Sequence, residues 1–278
     1  MPLYLNSANL SDISEAISEA GEVVMTAYNS KPARNHEAVK PDMVTTALRQ
    51  LIDIMHMIEE DQATDIVYKD TVDRVIESDD IYELDVSPLS SEEISEIGDH
   101  GLSLIQTLSE WAGTFELNIQ EQQLHAVMVI VSIWIARHGG YLRNLDTIVN
   151  TLADIANKTS DEKILAELSY VMGEIISAVD TDFLNTSTAI ANDMYPDRSD
   201  TRSQCWRILN INRGIIATRT HDASIMEPVF EQLVKNIPDY APVFFEKGVR
   251  EVEALDYPEH IRLMMDRYYK KYTNNTLH

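Results

Sequence analysis

Cysteine is nearly absent from this sequence. The one thiol, Cys205, excludes an internal disulfide framework. Glycine and proline are scarce as well, nine of each in 278 residues, which leaves little room for a loop-rich β architecture. No apolar run reaches the ~20 residues that a membrane-spanning helix needs. The most apolar stretch covers only 11 positions, Ala126 to Ala136. Positive charge is in deficit: 22 Lys and Arg face 46 Asp and Glu, a net charge of -24. Such a surface repels phosphate and argues against a general nucleic-acid binder. The opening residues, MPLYLNSANL, lack the basic and apolar regions of a secretory leader, so the expectation is a soluble, cytoplasmic protein without a membrane segment. Gly-x-Gly-x-x-Gly, phosphate-loop, Cys-x-x-Cys and Gly-x-Ser-x-Gly motifs are all missing. Nothing in the chain therefore calls for a cofactor, and the enzyme readings are weakened.

What is present is helical periodicity, most plainly from Glu121 to Gly140. Leu124, Val127, Met128, Val131, Trp134, Ile135 and His138 recur at helical spacing, and Val129, Ile130 and Ile133 fill much of the other face. A helix apolar nearly all round must be covered on most sides. Gly139 and Gly140 supply a stop, with Arg137 and His138 where a helix C-terminus favours positive charge.

Elsewhere the same signals place a helix from about 12 to 28, capped at Ser11 or Asp12. A second begins at Asp42 and runs through Ile58, and a third opens at Asp65. Ser90 and Glu93 match a capping box, followed by a short helix to Ile97 that Gly98 and Gly101 should end. Residues 1–100 carry 22 acids and 6 bases against 24 and 16 in residues 101–278. That shift, with Ser87, Pro88, Ser90 and Ser91, suggests an acidic helical region over 1–90 and a second region over 91–278.

From Leu102 onward, helix-like segments begin near 102, 121, 143, 161, 183, 201, 224 and 240, so alternate starts recur about every 40 residues, within the range of helical-hairpin repeats. Met128, Leu168 and Ile208 lie 40 apart, as do Val131, Val171 and Ile211, and again Ile135, Ile175 and Ile215. The expected fold is all-α: stacked antiparallel helical hairpins sharing one apolar seam, with a compact multi-helix bundle as the alternative.

Two groups of residues stand out chemically. Between Arg198 and Arg219 there are five arginines, no lysine and one acid, Asp200. With Cys205, Ile208, Leu209, Ile211, Ile215 and Ile216 on the buried face, Arg202, Trp206 and Arg213 line up beside it. Arginine forks onto carboxylate or phosphate and stacks on aromatic faces, so Arg202, Trp206, Arg213 and Arg219 form a candidate anion or partner-binding strip. The competing reading is internal pairing with neighbouring carboxylates. In the last helix, Met264, Met265, Tyr268 and Tyr272 form a candidate interface, including one for a homodimer, against the plainer role of capping the final hairpin.

Other constellations are weaker. Asp53, His56 and Glu59 share a helical face, but the doubled Glu-x-x-His of di-metal bundles does not occur, and no metal site is expected. His221-Asp222 reads as a helix cap rather than a hydrolase motif. The function expected from these features is an interaction module, an adaptor or scaffold presenting a groove to a basic or helical protein partner. The alternative is a helical enzyme or small-molecule binder with an anion site on the Arg202–Arg219 helix.

Overall fold

The computed structural model describes residues 9–30, 40–72, 89–181 and 201–273, without the side chains of 61–72, 201 and 202. These residues form an all-α fold of ten helices: α1 (Leu10–Ser30), α2 (Pro41–Val72), α3 (Ser91–Thr114), α4 (Asn118–Arg137), α5 (Asp146–Lys158), α6 (Glu162–Ser177), α7 (Thr201–Arg219), α8 (Ala223–Asn236), α9 (Ala241–Ala254) and α10 (Glu259–Thr273). The segment expected to start near 183 and the residues Arg198 and Asp200 lie outside the described residues.

Contacts divide the chain between Tyr141 and Leu142, rather than near residue 90. In the first unit α1 packs on α2, α2 on α3, α3 on α4, and α4 back on α1, closing a ring of four. The acidic N-terminal helices therefore share a core with α3 and α4. Composition misplaces the boundary because acidity marks the solvent face of a helix and says nothing about which helix lies beneath it.

Helix α4 carries out what its periodicity requires. Every residue from Val127 to Ile135 is buried. It ends in a glycine motif: Gly139 adopts φ 76°, Gly139 N–H donates to the Ala136 carbonyl at 3.3 Å and Gly140 N–H to the Ile135 carbonyl at 2.9 Å. Two of the carbonyls left open at a helix end are thereby satisfied. The Ser90–Glu93 capping box is also formed, Ser90 N–H donating to Glu93 Oε2 at 2.8 Å and Glu93 N–H to Ser90 Oγ at 3.3 Å. In α1 the cap sits earlier than Ser11 or Asp12. Asn9 Oδ1 accepts from Asp12 N–H at 2.9 Å, and Asp12 returns a bond to Asn9 N–H.

Two expected breaks do not occur. Helix α2 is continuous to Val72, and α3 runs straight through Gly98 and Gly101. The reason in α3 is packing. A Cβ on Gly98 would lie 2.4 Å from the Ile135 side chain of α4, and one on Gly101 would lie 2.6 Å from Leu51 of α2. Here glycine allows close approach of neighbouring helices instead of ending one.

In the second unit α5 and α6 pack on α7, α7 on α8, α8 on α10 and α9 on α10. The 40-residue register of buried positions does not extend to α7. Met128, Val131, Ile135, Leu168, Val171 and Ile175 are all buried, but Ile208 and Ile215 are 42% and 46% exposed. Leu209 and Ile216, each one residue further on, are buried in their place. One residue is 100° of helix rotation, enough to carry a side chain from core to water. Asn210 marks the new buried face. Its side chain, 2% exposed, donates to the Trp206 carbonyl at 2.9 Å and accepts from Asn236 of α8 at 2.8 Å. A buried amide must be so bonded, and this pair favours one rotation of α7 over its neighbours.

Candidate functional site

Helix α7 carries four of the residues singled out from sequence. Arg202 lies in its first turn, with its side chain outside the described residues. Trp206 is partly buried and packs against the apolar cluster of α8, α9 and α10. Along α7 the described side chains of the strip, Trp206, Arg213 and Arg219, follow one another at seven- and six-residue spacing.

Arg213 crosses to both neighbouring helices. Its Nε donates to the Ser169 carbonyl of α6 at 2.8 Å, and its Nη1 donates to Gln232 Oε1 of α8. Gly173 makes room for it, since a Cβ there would lie 2.5 Å from Nη2. Burial lowers the Arg213 guanidinium below its ordinary value. Loss of water disfavours the charged form, and a carbonyl and an amide compensate only in part.

Arg219 ends α7 by closing another helix. Its Nη1 donates to the Ala156 carbonyl at 2.9 Å and its Nη2 to the Thr159 carbonyl at 2.6 Å, at the C-terminus of α5. A cation there meets the negative end of the helix dipole and unsatisfied carbonyls together. Both guanidiniums are thus directed at main-chain oxygen. The internal partners foreseen for these arginines were carboxylates, and among the described residues their hydrogen-bond partners are neutral.

Arg207, which the sequence reading passed over, lies over the Tyr240 ring with Cζ 4.2 Å from the centroid and also bonds its hydroxyl. The two residues are 33 apart and no local spacing links them.

The turn after α7 gathers more polar groups than any motif implied. His221 takes φ 53°, its Nδ1 lies 2.8 Å from Glu162 Oε1, and its carbonyl is 3.1 Å from His260 Nε2. Tyr257 meets the His221 ring edge-on, with centroids 4.8 Å apart. Asp222 caps α8 as foreseen, accepting from Ser224 N–H at 2.8 Å. Bonds from the Ser224 hydroxyl and N–H hold the Asp222 carboxyl below its usual value. The cluster ties α6, α8 and the start of α10 to one turn. Among the described residues no group of three or more His, Cys, Asp or Glu is arranged to hold a metal ion.

The interface expected on α10 is half consumed by the chain's own core. Met265 and Tyr268 are 1% and 4% exposed, packed with Phe230 and Phe245. Met264 and Tyr272 are partly buried against the same cluster. Burial raises the Tyr268 hydroxyl above its ordinary value. The Met and Tyr spacing of α10 fits it to the aromatics of α8 and α9, and Leu263, 61% exposed, is the large apolar residue it shows to solvent.

In the first unit an open polar groove runs between α1 and α2. Ser14, Ser18 and Glu15 line one side, Asp53 and His56 the other, over buried Ile52. Arg49 Nε bridges it to Ser18 Oγ at 3.1 Å, one turn before Asp53. Beside this groove, on the outer face of α2, Met43, Ile54 and Met57 are 56%, 41% and 55% exposed. No described helix is long and apolar enough to cross a membrane.

Comparison with protein-family models, with curated proteins and with solved structures finds no match to this chain.

Proposed function

We propose that this chain is an all-helical protein-interaction module, an adaptor or scaffold whose acidic surface receives a basic or helical protein partner. The observation that carries the reading is the presence of large apolar side chains exposed in line on helix faces within a strongly acidic chain. Met43, Ile54 and Met57 do this on α2, and Ile208 and Ile215 on α7. Contiguous exposed apolar faces rimmed by polar residues mark partner surfaces. A stacked-hairpin array would present such faces side by side, and so would a multi-helix bundle, with which the helix contacts are consistent. The rotation of α7 takes Ile208 and Ile215 out of any such array's core.

The anion-site reading of the Arg202–Arg219 helix draws less support, because Arg213 and Arg219 are committed to carbonyls and an amide. A homodimer through α10 is likewise disfavoured by burial of Met265 and Tyr268.

The test is capture of partners from the native host, followed by reconstitution with the purified partner and titration calorimetry at two salt concentrations. A stoichiometric complex that weakens as salt rises is the expected result. Failure of every captured protein to reconstitute, together with a thermal shift from small anions that Arg219→Gln abolishes, would replace this reading with the ligand-binding one.

A further inference from the structure

The outer face of α2 differs from the other exposed apolar positions in what surrounds it. On a helical wheel Met43, Gln50, Ile54 and Met57 fall within about 60° of one another, a straight strip along the exposed side. From Met43 to Met57 the strip runs about 21 Å at 1.5 Å per residue. Two of its three apolar members are methionine, the side chain that adapts best to a partner's shape. One flank of the strip is the α1–α2 groove, where Glu15 and Asp53 form the walls and are exposed. Glu22 continues the acidic line two turns further along α1. Among the described side chains Arg49 is the cation on that flank, and it is engaged with Ser18.

Charge decides what can cover such a strip. Residues 1–141 hold 25 acids and 7 bases. A second copy of this chain, an anionic lipid surface or a nucleic acid would each bring like charge against Glu15 and Asp53. The strip on α7 lacks this discrimination, since residues 142–278 hold 21 acids and 15 bases and nothing there selects an occupant. We propose that the Met43–Ile54–Met57 face of α2, with the Glu15 and Asp53 groove beside it, docks an amphipathic helix about four turns long that carries Lys or Arg along one flank. Its apolar anchors at i, i+4, i+7 and i+11 lie on the strip, and its cations reach the carboxylates of the groove. This deepens the interaction-module reading and rests on it.

The probe is a fluorescein-labelled synthetic peptide of about 16 residues, with Leu at i, i+4, i+7 and i+11 and Lys on one flank. Controls are a scrambled peptide of the same composition and one with Glu in place of Lys. Anisotropy titrations use the full-length chain at about 10 mM and about 100 mM KCl. The amphipathic peptide binds; the scrambled peptide binds at least about tenfold more weakly, and the Glu peptide does not bind. An Ile54→Ser, Met57→Ser variant weakens the amphipathic peptide about tenfold or more, and Glu15→Lys, Asp53→Lys weakens it and flattens its salt dependence. Ile208→Ser, Ile215→Ser leaves binding unchanged. Circular dichroism melts confirm that each variant is folded.

Equal binding of the scrambled peptide, no binding of the amphipathic one, or insensitivity to the α2 substitutions overturns the proposal. Binding lost through the α7 pair and kept through the α2 pair does so as well. The broader reading is judged separately: a reconstituted host partner that still binds the Ile54→Ser, Met57→Ser variant removes the α2 site and leaves the module standing.

Discussion

Arg213 illustrates how far single residues can be read without coordinates. Its type and its place beside an apolar face were legible, because arginine is the cation best suited to partly buried positions. Its partners were not, since Ser169 lies 44 residues away and Gln232 lies 19, and neither carries a charge that would suggest pairing. Gly173 was still less legible: a glycine inside a helix looks like a weakness until a guanidinium is found against it. The pair makes a direct prediction. Gly173→Ala alone gains about 1 kcal/mol of helix propensity. It also drives Nη2 away and puts at risk hydrogen bonds from a charged donor, worth about 1.5–3 kcal/mol. The net outcome is destabilisation of about 1 kcal/mol in urea unfolding. In an Arg213→Ala background the same substitution becomes stabilising, because the obstacle is gone. Identical effects in both backgrounds would show that the guanidinium and Gly173 are not coupled.

At the scale of the element, helices were legible wherever local chemistry fixes them and obscure where a neighbouring helix decides. Caps and stops belong to the first kind: Ser90–Glu93, Asp222, and Gly139 with Gly140 all act as their residue types demand. The continuity of α3 and the rotation of α7 belong to the second. Gly98 and Gly101 carry the composition of a stop, and only Ile135 and Leu51 explain why they are not one. In α7 the apolar residues spread over a broad arc that holds both Ile208 and Leu209, so periodicity alone cannot choose between them. Substitution separates them. Leu209→Ala, in the core, should cost about 2–5 kcal/mol, whereas Ile208→Ala should stay within about 0.5 kcal/mol of the parent. Comparable losses at both positions would restore the 40-residue register. The caps also set a pH dependence. Bonds from the Ser90 N–H and then its hydroxyl lower the Glu93 carboxyl, and bonds from the Ser224 hydroxyl and then its N–H lower that of Asp222. A carboxyl lowered in the folded state stabilises the fold fully above the unfolded value near pH ~4, and loses that contribution as pH falls through the lower folded value. Urea midpoints followed from pH ~7 to pH ~3 should therefore fall less steeply for Glu93→Gln, Asp222→Asn than for the parent, an acid limb left unchanged counting against the caps as its source.

For the whole molecule the all-α class followed from scarce glycine and proline and from unbroken helical spacing, and the placement of the division did not. The chain turns from one unit to the next at Gly139, Gly140 and Tyr141 without the Pro- or Ser-rich composition that marks a linker, because the same glycines finish α4. Charge, by contrast, was legible throughout and has a consequence for stability. The first unit holds 25 acids against 7 bases, the second 21 against 15. The second unit holds surface ion pairs such as Arg267 with Glu227 at 2.7 Å and Arg143 with Asp180 at 3.8 Å. Excess charge of one sign destabilises a compact state through self-repulsion, and salt relieves it. Raising KCl from about 10 mM to about 100 mM shortens the screening length from about 30 Å to about 10 Å. The melting temperature should rise over that range, with a larger gain in amide-exchange protection for α1 and α2 than for α8 to α10, since added salt also weakens the second unit's surface pairs. Uniform protection along the chain, or a falling melting temperature, would mean that repulsion within the first unit is already screened by its own geometry, and the attraction for a basic partner would then have to come from the carboxylates nearest the α2 face alone.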